Sequence, residues 1–255
     1  MATTTMNIDY IMTMANNYEF DIDEVHISNK LFEHFNEIPS YSLPILLDIL
    51  CVSKSAFIQF YKKIGYKNYT DLKEDFAFSK IIRKKQIMDR HRNFSLTKVL
   101  PIMEQLSGKS IDINEIDLVC QEINKSNKVI FYGSSTLLNK INDFQLDMKI
   151  LGKDVQTSST KNEKTIVPNN GDLICICSST GRLFWSCEGV FQDKVVNSLN
   201  KKVLFSKEKL EIKGIDYNIY TNTFNDYYEM HYLYLFYLDL IKVRYYEIYV
   251  RGQQL

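Results

Sequence analysis

Val52-Ser53-Lys54-Ser55-Ala56-Phe57-Ile58-Gln59-Phe60-Tyr61-Lys62-Lys63-Ile64-Gly65-Tyr66 reads as one short amphipathic helix whose start and stop are both marked. Ser53 offers a hydroxyl N-cap. Phe57, Phe60, Tyr61 and Ile64 recur at helical spacing, and Gly65 supplies the left-handed residue at which such helices end. Upstream, Ser42 to Leu50 predicts a second helix capped by Ser42, with Pro44 in the first turn, where a missing N–H has no partner to lose. Only Cys51 and Val52 separate the two. So short a connection forces a steep crossing, the helix-turn-helix arrangement in which the second helix enters the major groove of DNA. Lys54, Ser55, Gln59, Lys62 and Lys63 occupy the outer face, with Ser53 and Ala56 beside them. Such residues reach phosphates and base edges, and a glutamine can pair bidentately with adenine. An ordinary helical hairpin with a solvated basic face shares these local features.

Charge distribution separates the two readings. The chain is formally neutral, yet residues 1–53 hold one basic residue, Lys30, against eight acids. Residues 54–92 hold eleven Lys or Arg against four acids, Asp71, Glu74, Asp75 and Asp89, and the rest of the chain is balanced. A basic block that begins at the second helix is the electrostatic footprint of phosphate contact and favours DNA binding.

At 255 residues there is room for one large or two modest domains, and 45% hydrophobic with 24% charged residues is the balance of a globular protein. Met1-Ala2-Thr3-Thr4-Thr5 lacks the basic start and apolar run of a signal peptide, and the most apolar window, Met230 to Leu238, is too short to span a bilayer. A cytoplasmic protein without a membrane span is expected. Cys51, Cys120, Cys175, Cys177 and Cys187 form no CxxC pair and read as free thiols, Cys175 and Cys177 on one face of a strand. His26, His34, His91 and His231 are scattered, so no metal site and no cofactor are expected.

Two domains follow from the pattern. Residues 1–92 are helical throughout, with helices over Ile8 to Ala15, Asp23 to Phe35, the hairpin pair, and Thr70 to Arg92. Residues 93–110, with Pro101 and Gly108, read as a linker. Residues 111–255 alternate: a helix over Asn114 to Asn124, a strand over Lys128 to Tyr132, a helix over Leu137 to Leu151 and a short strand over Asp154 to Gln156. A strand over Asp172 to Cys177, a helix over Phe184 to Asn200 and a strand over Lys202 to Phe205 follow. Continuous apolar strands between amphipathic helices predict an α/β fold, a doubly wound parallel sheet covered on both faces. A long helix from about Asp226 to Val250, apolar nearly all round, closes the chain and is expected to bury itself against this domain or a partner subunit.

Two strand ends carry small polar residues where open sheets place ligands: Gly133-Ser134-Ser135-Thr136 and Ser178-Ser179-Thr180-Gly181-Arg182. Hydroxyls, backbone N–H groups and a glycine suit a phosphate or similar anion, and Arg182 can add a charge-assisted contact. Capping of a strand-to-helix turn uses the same residues. Near these loops the ionisable side chains are Arg182 and Glu188, with Cys177 and Cys187 as thiols and no histidine close in sequence, so binding rather than catalysis is expected and no catalytic residue is assigned.

Taken together, these segments resemble the RpiR/MurR family of bacterial transcription regulators, which join an N-terminal helix-turn-helix domain to a C-terminal sugar isomerase (SIS) domain. The likeness lies in Val52-Ser53, Phe60, Lys62-Lys63-Ile64-Gly65-Tyr66, Asn68-Tyr69 and Leu72-Lys73, then in Phe131-Tyr132-Gly133-Ser134-Ser135, Phe144-Gln145, Gly152-Lys153, Gly171-Asp172 and Ser178-Ser179-Thr180-Gly181. It implies a regulator of sugar or amino-sugar metabolism, homodimeric or a dimer of dimers, that binds a double-stranded DNA operator under control of a phosphorylated sugar or amino-sugar effector. Ser53, Lys54, Ser55, Ala56, Gln59, Lys62 and Lys63 would face DNA. Gly133, Ser134, Ser135, Ser178, Ser179, Thr180, Gly181 and Arg182 would hold the phosphosugar. Leu47, Cys51, Ala56 and Gln59 depart from the family pattern, and Cys51, where the family has glycine, implies a positive φ costing about 1 kcal/mol. A phosphosugar isomerase or lyase, and a sensor that no longer binds DNA, are the competing functions.

Overall fold

A computed structural model describes residues 7–16, 20–160, 165–222 and 227–251, apart from the side chains of residues 135, 136 and 227–229. The chain divides into two compact units, Met1–Ile87 and Met88–Leu255.

In the first unit the described elements are all helical: α1 (Ile8–Asn16), α2 (Ile22–Glu33), a single 3-10 turn (Ile38–Ser40), α3 (Leu43–Leu50), α4 (Lys54–Lys63) and most of α5 (Tyr69–Asn93). Asp21 caps α2 by accepting from the Asp23 N–H at 2.9 Å. One residue per turn or so of each helix points inward, so Ile11, Leu31, Phe35, Leu46, Leu50, Phe57, Leu72 and Phe76 are wholly enclosed. The Phe35 and Phe76 rings meet with centroids 5.2 Å apart.

The division between units falls inside α5, slightly before the boundary expected at residue 92. Residues 93–110, expected as a linker, contain α6 (Leu96–Ser107). Pro101 sits inside this helix on an exposed position, and Gly108, at φ 62°, ends it as a left-handed cap rather than breaking it.

In the second unit α7 (Ile113–Lys125), β1 (Val129–Gly133), α8 (Ser135–Leu138), α9 (Asn142–Ile150), β2 (Val155–Ser158) and β3 (Leu173–Cys177) follow. Then come α10 (Leu183–Ser186), a π-helical segment (Phe191–Val196), β4 (Lys202–Ser206), β5 (Tyr217–Tyr220), α11 (Tyr227–Tyr245) and a second π-helical segment (Tyr246–Val250). The sheet has strand order β2-β1-β3-β4-β5 and every pairing is parallel. Alternate residues of the fully buried strands β1, β3 and β4 feed two cores. Ile130, Tyr132, Ile174, Ile176 and Leu204 pack with Phe184, Phe191 and Val195 on one face. On the other, Phe131 meets Phe144 of α9 and Phe205 meets Tyr234 of α11. The fold class is therefore the expected one, a helical N-terminal region followed by a doubly wound α/β domain.

Two expected helices are broken. The run from Leu137 to Leu151 becomes α8 and α9, because the chain turns at Asn139-Lys140 and thereby buries Ile141 as well as Leu137 and Leu138. The run from Phe184 to Asn200 is interrupted where Cys187 is extended and Gly189 is left-handed (φ 68°). Glycine adopts that conformation without strain, and the turn returns Phe191 and Val195 to the core face that Phe184 already occupies. The edge strand β5 was not expected: its residues are mostly half-buried and lack the apolar run of β3 or β4. The expected start of the last helix, Asp226, lies outside the described residues.

Candidate functional site

α3 and α4 meet at 95° across the turn Cys51-Val52-Ser53. Cys51 carries φ 54° and ψ 40°, the left-handed conformation implied by its place in the turn, and its N–H donates back to the α3 carbonyls of Asp48 and Leu47. His26 of α2 takes up the carbonyl of Leu50 through Nε2 at 3.0 Å, closing the α3 terminus in a way no local pattern announces. Ser53 is extended, and its Oγ accepts from the Ala56 N–H at 3.2 Å, so this hydroxyl caps α4. Phe57, Phe60 and Tyr61 are buried while Lys54, Ser55, Ala56, Gln59, Lys62 and Lys63 are exposed.

Two features of this unit were not legible beforehand. Lys63 is ion-paired with Glu24 of α2, whose carboxylate raises the lysine pKa, so Lys63 braces α4 against α2. Beyond Gly65 (φ 101°), Tyr66 is buried and donates its hydroxyl to Asp75 Oδ2 at 2.5 Å, and the Asn7 N–H donates to the same oxygen at 3.2 Å. Asp75 is only 1% exposed, and among the described residues its Oδ1 has no hydrogen-bond partner. Burial raises its pKa, and the bonds from Tyr66 and Asn7 oppose that rise. A buried carboxyl thus ties the exit of α4 to the start of α1.

In the second unit, strand order reverses direction between β1 and β3, and open α/β sheets bind ligands outside the carboxyl ends of strands at such a switch point. The two polar loops leave from these very strands. Gly133 and Cys177 are register partners, and a Cβ at Gly133 would lie 2.9 Å from the Cys177 carbonyl oxygen, so glycine is what lets the two strand ends approach. Ser134 is exposed and its carbonyl opens α8 by accepting from the N–H groups of Leu137 and Leu138. The side chains of Ser135 and Thr136 lie outside the described residues.

On the second loop the roles divide. Ser178 is buried; its N–H donates to Phe205, its carbonyl accepts from Gly181, and its Oγ accepts from the Leu183 N–H at 3.4 Å. Ser179 is half-buried, with its carbonyl accepting from the Lys207 N–H at 2.8 Å. Thr180 and Arg182 are exposed, and Gly181, at φ 74°, is buried between them. α8 and α10 are single turns, so few aligned peptide dipoles stand behind either loop. The exposed polar side chains of this rim are those of Thr180, Arg182 and Ser134.

A small cleft adjoins the loops, lined by Leu137, Ser179, Phe205, Ile219, Met230 and Tyr234 among others, with an interior of about 10 Å³, roughly one water. It forms where β4, β5 and α11 converge, which sequence spacing could not have revealed. Tyr234 OH lies 3.0 Å from Cys177 Sγ, and burial pushes the Cys177 thiol up to about 12 and Cys175 well above its usual value, so both thiols stay protonated at neutral pH. The described residues contain no group of three or more His, Cys, Asp or Glu able to hold a metal ion, and no single described helix is long and apolar enough to cross a membrane.

No protein-family model matches the chain, and no curated protein matches it in sequence. Solved structures similar in backbone include the following two. One is the Vibrio vulnificus NanR protein complexed with ManNAc-6P, at 12% identity and TM-score 0.44, covering 94% of this chain and 92% of that one. The other is the hypothetical protein MJ1247 from Methanococcus jannaschii, for which a 3-hexulose-6-phosphate isomerase function was inferred, at 16% identity and TM-score 0.45, covering 60% of this chain and 87% of that one.

Proposed function

We propose that this protein is a DNA-binding transcriptional regulator whose first unit reads double-stranded DNA through α4 and whose second unit binds a phosphorylated sugar or amino sugar. The observation that carries the reading is the α3–α4 pair. A 95° crossing, a three-residue turn with one left-handed residue, and a capped second helix together free one polar face. Lys54, Ser55, Gln59 and Lys62 occupy that face, beside Ala56, while the aromatic side chains lock the opposite face into the core. Ser53 and Lys63 serve by positioning the helix, through the cap and through Glu24. The effector would bind at the β1/β3 switch point, with Gly133 and Gly181 giving close approach and Ser134, Ser179, Thr180 and Arg182 offering polar contact. Ser178 then shapes the loop from within. A homodimer or dimer of dimers in the cytoplasm suits paired heads on a two-fold operator.

The test is selection of binding sequences from a random duplex pool, followed by anisotropy titration across salt concentrations. Lys54→Ala with Gln59→Ala is expected to weaken the selected site and to lower the salt slope by about 1. A slope equal to that of the parent protein refutes α4 as the DNA-facing helix.

A further inference from the structure

We infer that Trp185 is the platform on which the ring of the effector lies, and that it selects a phosphorylated pyranose over a bare phosphate. The inference rests on the phosphosugar reading of the β3 loop and names the residue that gives that loop its specificity. Trp185 is the sole tryptophan of the chain and is 66% exposed. So large an apolar ring is highly buried on average, and tryptophan left open is enriched where a ligand or a partner makes contact.

Its position is fixed. The Trp185 N–H donates to the Arg182 carbonyl at 3.2 Å, within α10, immediately after the loop. The ring edge reaches back over Gly181: a Cβ there would sit 2.9 Å from Trp185 Cη2, 3.0 Å from Leu210 Cδ1 and 3.2 Å from Ile212 Cδ1. Three apolar side chains therefore converge on the bare α-carbon of Gly181, which holds the indole by one edge and leaves most of it open. Glycine is needed there twice, for the φ of 74° and for the space the ring occupies.

Thr180 and Arg182 flank Gly181 and are both exposed. An aromatic face, a hydroxyl and a guanidinium on one rim match a ligand with an apolar C–H face, a ring of hydroxyls and an anionic group. A hexopyranose phosphate has all three. The C–H face covers the indole, and the phosphate takes a charge-assisted contact from Arg182.

Because no other tryptophan is present, emission of the full-length protein reports on this position alone. Glucose 6-phosphate, glucosamine 6-phosphate, inorganic phosphate and adenosine monophosphate would be titrated by emission, and by calorimetry where the indole is replaced. The expected result is a saturable emission change with a hexose 6-phosphate, a roughly tenfold affinity loss in Trp185→Ala, partial rescue in Trp185→Phe, and unchanged binding of inorganic phosphate. Hexose phosphate binding that leaves emission and the Trp185→Ala affinity untouched overturns the platform but keeps the phosphosugar reading. If no phosphate ester binds the parent protein at all, both fall. Preference for adenosine monophosphate overturns the carbohydrate assignment. A Trp185→Ala variant that instead changes sedimentation, with emission following protein concentration, assigns the ring to a subunit contact and overturns it too.

Discussion

Tyr66→Phe removes one oxygen from the interior of the first unit and tests how the end of α4 is held. The ring stays, since Tyr66 is 6% exposed and its aromatic body fills the same space. What disappears is the 2.5 Å hydrogen bond to Asp75 Oδ2, leaving that carboxylate with the Asn7 N–H alone and with Oδ1 already unpartnered. A hydrogen bond to a buried charged group contributes about 1.5–3 kcal/mol, one to the neutral acid about 0.5–1.5 kcal/mol. The cost is therefore expected near 2 kcal/mol while Asp75 is ionised and near 1 kcal/mol once it is protonated. The sign follows from linkage. Burial raises the folded pKa of Asp75 above its ordinary 3.8, so the stability it contributes is fully present below that value and is lost as pH rises through the folded pKa. The Tyr66 bond opposes this rise, so its removal moves the folded pKa further up and steepens the loss toward neutral pH. Burial also raises the Tyr66 pKa, so the phenol remains a donor throughout this range. Hydrogen exchange read by mass spectrometry over peptides of α1, α4 and α5 measures the local opening free energy at a series of pH values. Equal losses at acid and neutral pH, or a loss below about 0.5 kcal/mol at neutral pH, refute the buried-carboxylate account.

Ser53→Ala is expected to cost about 1 kcal/mol of local stability, confined to exchange in the first turn of α4, whereas Ser53→Asp retains the cap; equal loss in both variants rules out capping. Gly133→Ala places a methyl against the Cys177 backbone and is expected to destabilise the second unit by about 1–3 kcal/mol in urea unfolding followed by Trp185 emission; an unchanged midpoint refutes the close approach of β1 and β3. Lys242→Met strips a buried ammonium from Asp143, Asp147 and Asp239, and because Asp147 is 1% exposed but keeps Arg90, the expected loss is near the lower end of the 3–5 kcal/mol range, about 3 kcal/mol. Adding Asp147→Leu should recover part of it, and an equal loss in single and double variants contradicts the assignment.

Features carried by neighbours in sequence could be read from the sequence. The cap at Ser53, the stop at Gly65 and the aromatic spacing between them are local, and the observed α4 reproduces them. β1 and β3 announced themselves as apolar runs and β4 by its apolar centre, Val203 to Phe205, because a strand buried on both faces is mostly apolar. α6 and β5 escaped notice for the opposite reason. Pro101 and Gly108 are breakers by propensity, yet one is tolerated on an exposed position and the other caps, while β5 is only half-covered and owes its conformation to β4.

By itself the sequence determined the α/β class, the helical head and the two hydroxyl-bearing loops, since each depends on side-chain spacing within a dozen residues. Only the tertiary structure decided which groups remain available. Ser178 turned inward toward the Leu183 N–H, Lys63 paired with Glu24, and Tyr66 bonded to Asp75. Trp185 was left open beside Gly181. A side chain that stays exposed and one that is enclosed have the same local pattern. The element that covers one and not the other arrives from elsewhere in the chain, and its arrival depends on how strands and helices pack.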